Sequence, residues 1–393
     1  MLTVDRIEQD DRFAGMAGEW DALLRTSPAR CIFLTWEWLY TWRRHLGQDR
    51  ELRVLAVRQD GKLVGIAPLL LERPRPERLS PLPTFEFLGT GDVGSDYLDL
   101  IARPGFEADV LDAVAAHVAR SRAALRLRRF EPRSALATAL ATRLGDSGWS
   151  VTRTNTETCP FIRLAGHTWD SYLASLGPEH RSNTRRRIKK LETTSAVHFE
   201  RVVSEDQRRE VLPALISLHN QRWRERGGSE AFHNKALVAF HEELSRLALA
   251  RGWLRLFALR LDGRVAAALY GFLYEGRFSF YQSGFDPGEA KLGLGLATMG
   301  LAIKSAIAEG AVEYDLLHGD EPYKFLWCRE ARVLEHVELF PPTAAGRIAQ
   351  QAAGAIRGAR RAARRVLPPR IVAAAAAARR FWRERDSGAA AAR

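Results

Sequence analysis

Cysteine is scarce in this chain of 393 residues: Cys31, Cys159 and Cys328 are its three. An odd number of widely spaced thiols builds neither a disulfide framework nor the paired spacing of a zinc site. A reducing cytoplasm is therefore the expected location, and no metal is expected. Long apolar runs are missing as well. Nothing approaches the ~20 apolar residues that span a bilayer, and the alanine run 373–378 is short and followed by arginines. The first eleven residues are acidic and lack an apolar core, so they do not read as a secretory signal.

Net charge is missing from most of the chain too. The formal charge of +12 resembles a nucleic-acid signal until it is located. From Pro342 to Arg393 there are twelve arginines against Glu384 and Asp386, a surplus of ten, which leaves +2 for the preceding residues. Basicity belongs to the tail, and the body is not expected to bind nucleic acid. What the body does have is apolar material. With 46% hydrophobic and 9% aromatic residues it can bury substantial cores, and its length suits two ordinary domains.

The most informative feature present is an internal repeat. Residues 52–64 read LRVLAVRQDGKLV and residues 254–266 read LRLFALRLDGRVA. In this register Leu52, Arg53, Ala56, Arg58, Asp60 and Gly61 recur as Leu254, Arg255, Ala258, Arg260, Asp262 and Gly263. Each copy predicts a β-hairpin, since β-rich runs flank an Asp-Gly turn whose glycine tolerates positive φ. The sequel is similar in both copies. After the first hairpin come strands at 85–88 and 97–101 and a helix at 106–119. After the second come a turn at Glu275-Gly276, a strand, a helix at 296–309 and a strand at 313–317. A helix at 134–144 and a connecting strand at 159–164 join the halves. The expected class is α+β, with tandem domains at 1–160 and 161–341 and a basic helical tail at 342–393.

A candidate phosphate cradle occurs in the second copy. Lys291-Leu292-Gly293-Leu294-Gly295 stands between a strand and a helix. Glycines there allow backbone N–H groups close approach to a pyrophosphate at a helix N-terminus, and Lys291 adds a charge. The matching place in the first copy, 103–106, has a proline and no such glycine pair.

Hairpin, strand, glycine loop, helix and strand resemble the GNAT acyltransferase core, whose R/Q-x-x-G-x-G/A loop binds the pyrophosphate of acyl-CoA. Here the first position of that loop is Ala290. The stretches HRSNTRRRIKKLE, HNQRW, YQSGFDP, LGLG and DLLHGDEPYKFLW resemble the CelD-like (BioF-like) acetyltransferase group. Tandem halves also resemble the Fem-like peptidyltransferases, which use aminoacyl-tRNA. The resemblance implies an acyl-CoA cosubstrate, acetyl-CoA foremost, and transfer to a nitrogen or oxygen of a small or saccharide-linked acceptor. The alternatives are Fem-like transfer from aminoacyl-tRNA and a non-catalytic accessory role in envelope polysaccharide assembly.

Acyl transfer needs a base, an acid for the departing thiolate and donors for an oxyanion. Polar groups crowd the segment after the last strand of the second half. His318 suits a base at neutral pH, Asp320 an orienter or alternative base, Tyr323 an acid and Lys324 a charge stabiliser. The Y-K-x-x-W element resembles that of the named group and brings in Trp327. Candidate acceptor contacts are Tyr281, Arg222 and Trp223 on a predicted helix, and Asp96 in the glycine-rich turn 91–97. Each also has a structural reading, as core, solvated helix face or plain turn. The run 181–190, with six Lys/Arg, predicts a solvated helix beginning at Ser182 or Asn183. The tail from Gly346 alternates alanine with arginine, which suits either peripheral contact with anionic lipid at the inner membrane face or a loosely packed extension.

Overall fold

A computed structural model describes residues 1–74, 82–91, 93–133, 135–193, 197–224, 232 and 234–366. In the first half the strands are β1 (Leu2–Ile7), β2 (Glu51–Leu52), β3 (Val54–Gln59), β4 (Lys62–Ala67), β5 (Leu69–Glu72), β6 (Thr84–Phe87), β7 (Ile101–Ala102) and β8 (Ala124–Phe130). The long β9 (Ser150–Arg163) leads into β10 (Val197–Arg201), β11 (Leu254–Leu261), β12 (Arg264–Tyr274), β13 (Arg277–Phe285), β14 (Glu313–Asp315) and β15 (Glu330–Phe340). The helices are α1 (Asp10–Ala14), α2 (Ala17–Thr26), α3 (Trp36–Leu46), α4 (Glu107–Ser121), α5 (Leu136–Asp146), α6 (Trp169–Ser175), α7 (Pro178–Glu192), α8 (Glu205–Arg224), α9 (Lys235–Ala250), α10 (Leu294–Ala308) and α11 (Ala344–Val366).

The repeat seen in the sequence is a repeat in three dimensions. Both Asp-Gly turns are left-handed at both residues, with φ of 50° and 79° at Asp60-Gly61 and 50° and 78° at Asp262-Gly263. Both hairpins carry a bulge at the same place, between Val57 and Arg58 and between Leu259 and Arg260. The arginine at each bulge makes the same ties. Arg58 reaches Asp5 on β1, Glu19 on α2 and the carbonyl of Gly61. Arg260 reaches Glu200 on β10, Glu210 on α8 and the carbonyl of Gly263. Matching bulges, turns and ion pairs at one offset identify two copies of one fold.

The two copies are sewn into one sheet. An 11-stranded sheet runs β10-β11-β12-β13-β14-β9-β15-β8-β6-β5-β2, beside a smaller β1-β3-β4-β7 sheet. β9, from the end of the first half, pairs with β14 of the second. β15, from the end of the second half, pairs with β8 of the first. The halves thus exchange their last strands, and β9 and β15 pair with each other along the seam. The expected division near residue 160 falls inside β9.

Several elements differ from expectation for local reasons. The strand expected at 97–101 shrinks to β7, because Tyr97 is left-handed at φ 58°. The connecting strand expected at 159–164 extends back to Ser150, its exposed polar half held by β15. α7 starts at Pro178 rather than Ser182, with proline in the first helical turn, where its missing N–H has no cost. In the tail, α11 lays Ala349 and Ala353 against Phe340 and Ala124. No helix among the described residues is long and apolar enough to cross a membrane.

Candidate active site

The site begins where two parallel strands part. β13 and β14 are paired at Arg277↔Glu313, Phe278↔Tyr314 and Ser279↔Asp315, and the pairing stops there. β13 continues alongside β12. The chain leaving β14 turns the other way, with Leu316 N–H donating to Pro160 O (2.9 Å) and Gly319 N–H to Thr158 O (3.0 Å) on β9. A wedge therefore opens between Tyr281 on one side and His318 on the other. In the first half the corresponding strands, β6 and β8, part after Glu86↔Arg126. There the space beside β8 is taken by the chain itself, Leu98 N–H donating to Arg129 O at 3.2 Å.

The segment that fills the first wedge reaches across to the second. Asp96 is fully buried, and its Oδ2 accepts from His318 Nδ1 (2.9 Å) and from the backbone N–H of His318 (3.0 Å). Arg129 Nη1 lies 3.8 Å from Asp96 Oδ1. Burial alone would raise the Asp96 carboxyl. The attraction of His318 and Arg129, with the two His318 hydrogens, outweighs burial and holds it below the ordinary aspartate value. An ionised carboxylate only accepts, so in the neutral imidazole Nδ1 carries the hydrogen and Nε2 keeps its lone pair. The His318 side chain is 34% exposed. Gly94, at φ 69°, makes room for the ring, since a β-carbon there would sit 3.1 Å from His318 Cε1.

The surrounding backbone is bent to hold this pair. Of the described non-glycine residues with positive φ, Asp60, Asp262 and Glu275 lie in hairpin turns and Arg122 caps a helix. The other three, Tyr97, Arg129 and Leu317, flank Asp96 and His318. Left-handed backbone costs an ordinary residue roughly 1–2 kcal/mol, and such residues gather at functional sites. The turn is pinned by Asp315, which accepts from Leu317 N–H (2.8 Å) and from Tyr97 OH (2.6 Å).

The structure sorts the residues singled out in the sequence. Asp96 is the carboxylate on His318, a place expected for Asp320; Asp320 is exposed and points no bond at the imidazole. Lys324 is buried, and its Nζ donates to His318 O (2.7 Å) and meets Glu321 (3.0 Å), so it braces the turn from below. Tyr323 is 37% exposed. Trp327 is a core residue, edge-on to His180 and touching the helix α10 at Gly300. Tyr281 stands in the wedge, its hydroxyl donating to Val93 O at 2.5 Å, and burial pushes its pKa up. Arg222 and Trp223 fall in the last turn of α8, and their side chains lie outside the described residues. Arg129 and Asp315 were not singled out, and Gly94 only as part of the turn 91–97; their roles depend on backbone conformation and on contacts that no local pattern encodes.

The glycine turn follows the end of β13, the strand that carries Tyr281. Gly293 caps α10 at φ 67°. The first bond there is Ala297 N–H to Gly293 O (3.1 Å), which leaves the N–H groups of Leu294, Gly295 and Leu296 without helical acceptors. The glycines serve packing as well as approach. A β-carbon on Gly295 would sit 2.9 Å from Phe285, and one on Gly293 would sit 3.0 Å from the Arg187 stem. Arg187 of α7 donates to Lys291 O and sets a guanidinium over the turn. Free amides, a helix N-terminus, Arg187 and the exposed Lys291 fit an anion such as a pyrophosphate.

Residues 178–325 match the family model described as acetyltransferase (GNAT) domain. No curated protein matches the chain. Among solved structures, that of FemX is similar at 13% identity over 85% of this chain and 96% of its own, with a TM-score of 0.59. A conserved protein of unknown function from Bacteroides thetaiotaomicron is similar at 13% identity, over 86% of this chain and all of that one, with a TM-score of 0.56. L-PGS from Bacillus licheniformis follows at 12% identity, 86% and 95% coverage and a TM-score of 0.51. The chain is a tandem of two GNAT-like folds, and residues 178–325, within the second, match the acetyltransferase (GNAT) domain model.

Proposed function

We propose that the chain is an acyl-CoA-dependent N- or O-acyltransferase, acetyl-CoA being the first donor to test, with a small or saccharide-linked acceptor. The observation that carries this reading is the Asp96–His318 pair at the mouth of the β13/β14 wedge. When bound, the donor supplies an activated thioester carbonyl. The amides of 294–296, with Arg187 and Lys291, would hold its diphosphate. His318 Nε2 would take a proton from an acceptor ammonium or hydroxyl group as its nitrogen or oxygen adds to the thioester carbonyl; the C–S bond would then break and coenzyme A leave as the thiol with the proton returned from the imidazolium, which Asp96 would stabilise meanwhile.

The test separates binding from chemistry. Acetyl-CoA at one hundred times its dissociation constant should add about 2.7 kcal/mol of stability, read as a rise in Tm. Gly293→Val, a β-branched residue forced to positive φ, should abolish the rise. His318→Ala should keep it and lower transfer by roughly 10²–10⁴. No Tm response to CoA, acetyl-CoA or longer acyl-CoAs would overturn the donor assignment. RNA co-purifying with such an unresponsive protein would instead support Fem-like transfer from aminoacyl-tRNA, which the fold likeness to FemX favours as the second reading.

A further inference from the structure

The two oxygens of Asp96 have different duties. Oδ2 takes both hydrogens of His318, through Nδ1 and the backbone N–H. Oδ1 faces Arg129 Nη1 at 3.8 Å. Both of these atoms are shielded from water and neither makes a hydrogen bond, so what joins them is charge. Arg129 is held there at some cost. Its backbone is left-handed at φ 58°, its carbonyl is fixed by Leu98 N–H, and its Nε is drawn to Glu157 at 3.4 Å. We infer that Arg129 is a positioning residue that acts through Asp96: it engages Oδ1 by charge, leaves Oδ2 to take both His318 hydrogens, and so fixes the ring with Nε2 free.

The reason is electrostatic. A lone buried carboxylate beside an imidazole favours imidazolium, which has no lone pair to accept a proton. A guanidinium is permanently charged, so Arg129, shared between Asp96 and Glu157, offsets part of the negative charge that would otherwise draw a second proton onto the imidazole. The other groups facing the pair do not do this. From β9 come Glu157, an anion shared with Arg129, and Cys159, whose thiol burial pushes up. From β13 comes Tyr281, likewise pushed up by burial. From β14 comes Asp315, raised to about 6 by burial against the pull of Tyr97, Arg277 and Arg332. Lys324 directs its ammonium to His318 O and Glu321. Both Arg129 and Asp96 come from the first half, so the copy whose own wedge is filled supplies the charge setting for the second.

This inference rests on His318 being the base, and its test is independent of any donor. Nitrogen-15 spectra of the full chain labelled at histidine report tautomer and titration of His318 directly. In the parent protein the neutral ring should carry its hydrogen on Nδ1 and leave Nε2 bare. Arg129→Met should raise the His318 midpoint by about one pH unit, Arg129→Gln should do the same, and Arg129→Lys should restore most of the parent behaviour. A purely structural Arg129 would lower Tm in all three variants and leave the midpoint unmoved, and that outcome overturns the inference. Should Met not fold, Gln decides. If the midpoint responds while acetyl-CoA gives no thermal shift, the positioning role stands and the acyl-transfer reading falls.

Discussion

Asp96 and His318 are 222 residues apart in sequence and 2.9 Å apart in space. Another histidine shows what the same side chain does without a partner. His241 is fully buried among Phe240, Tyr270 and Tyr281, and neither ring nitrogen has a hydrogen bond. Burial lowers its pKa from 6.5 to about 3. Because the folded value is depressed, the unfolded chain takes up the proton first as pH falls. Stability from this group is intact above pH 6.5 and is lost steadily from there toward pH 3. In urea unfolding, the parent should lose about 3 kcal/mol more between pH 7 and pH 4 than His241→Leu does. Equal losses in both proteins would show that His241 is not held neutral by the fold.

At the scale of elements, the duplicated hairpin is the part the sequence displayed most openly. Asp-Gly turns and alternating apolar runs are local, and local pattern fixed both turns and the register that places Arg58 and Arg260 at matching bulges. Each arginine and its carboxylates are partly exposed, so Arg58→Ala and Arg260→Ala should each cost only about 1 kcal/mol. The two lie in different halves and share no partner, so the double variant should show the sum. A clear excess in a double-mutant cycle would mean the hairpins are coupled through the seam. Less of the site than of the hairpins was legible. His318, Lys324 and the glycine turn stood out as polar or glycine-rich sequence. The orienting carboxylate did not, because the choice between Asp320 and Asp96 is made by left-handed Leu317 and Tyr97. Chain neighbours could not reveal that Asp320 turns outward while Asp96 arrives from the other copy. β9 was underestimated for a related reason: its polar stretch SVTRTNTE has no apolar alternation and is a strand because β15 pairs with it.

At the scale of the whole molecule, the strand exchange decides whether either copy stands alone. A GNAT-like half cut after Arg163 would keep β9 but lose its partners β14 and β15, and β8 would lose β15 on its open edge. The remainder from Leu164 would keep β15 without β8 or β9. Each fragment would expose long strand edges together with buried residues, Leu125 and Leu127 on the first and Leu334, Val337 and Leu339 on the second, a combination that favours aggregation. The dyad would be split as well, Asp96 and Arg129 on one piece and His318 on the other. Residues 1–163 and 164–393 expressed separately should therefore be insoluble or molten, with no cooperative unfolding transition. Co-expressed, they should assemble into a one-to-one complex that unfolds cooperatively and restores the His318 tautomer of the intact chain. A monomeric first half with a sharp transition of its own would show that the seam joins two finished domains. In that case Asp96 would be an addition to a complete second site, and the second half alone should still bind the donor.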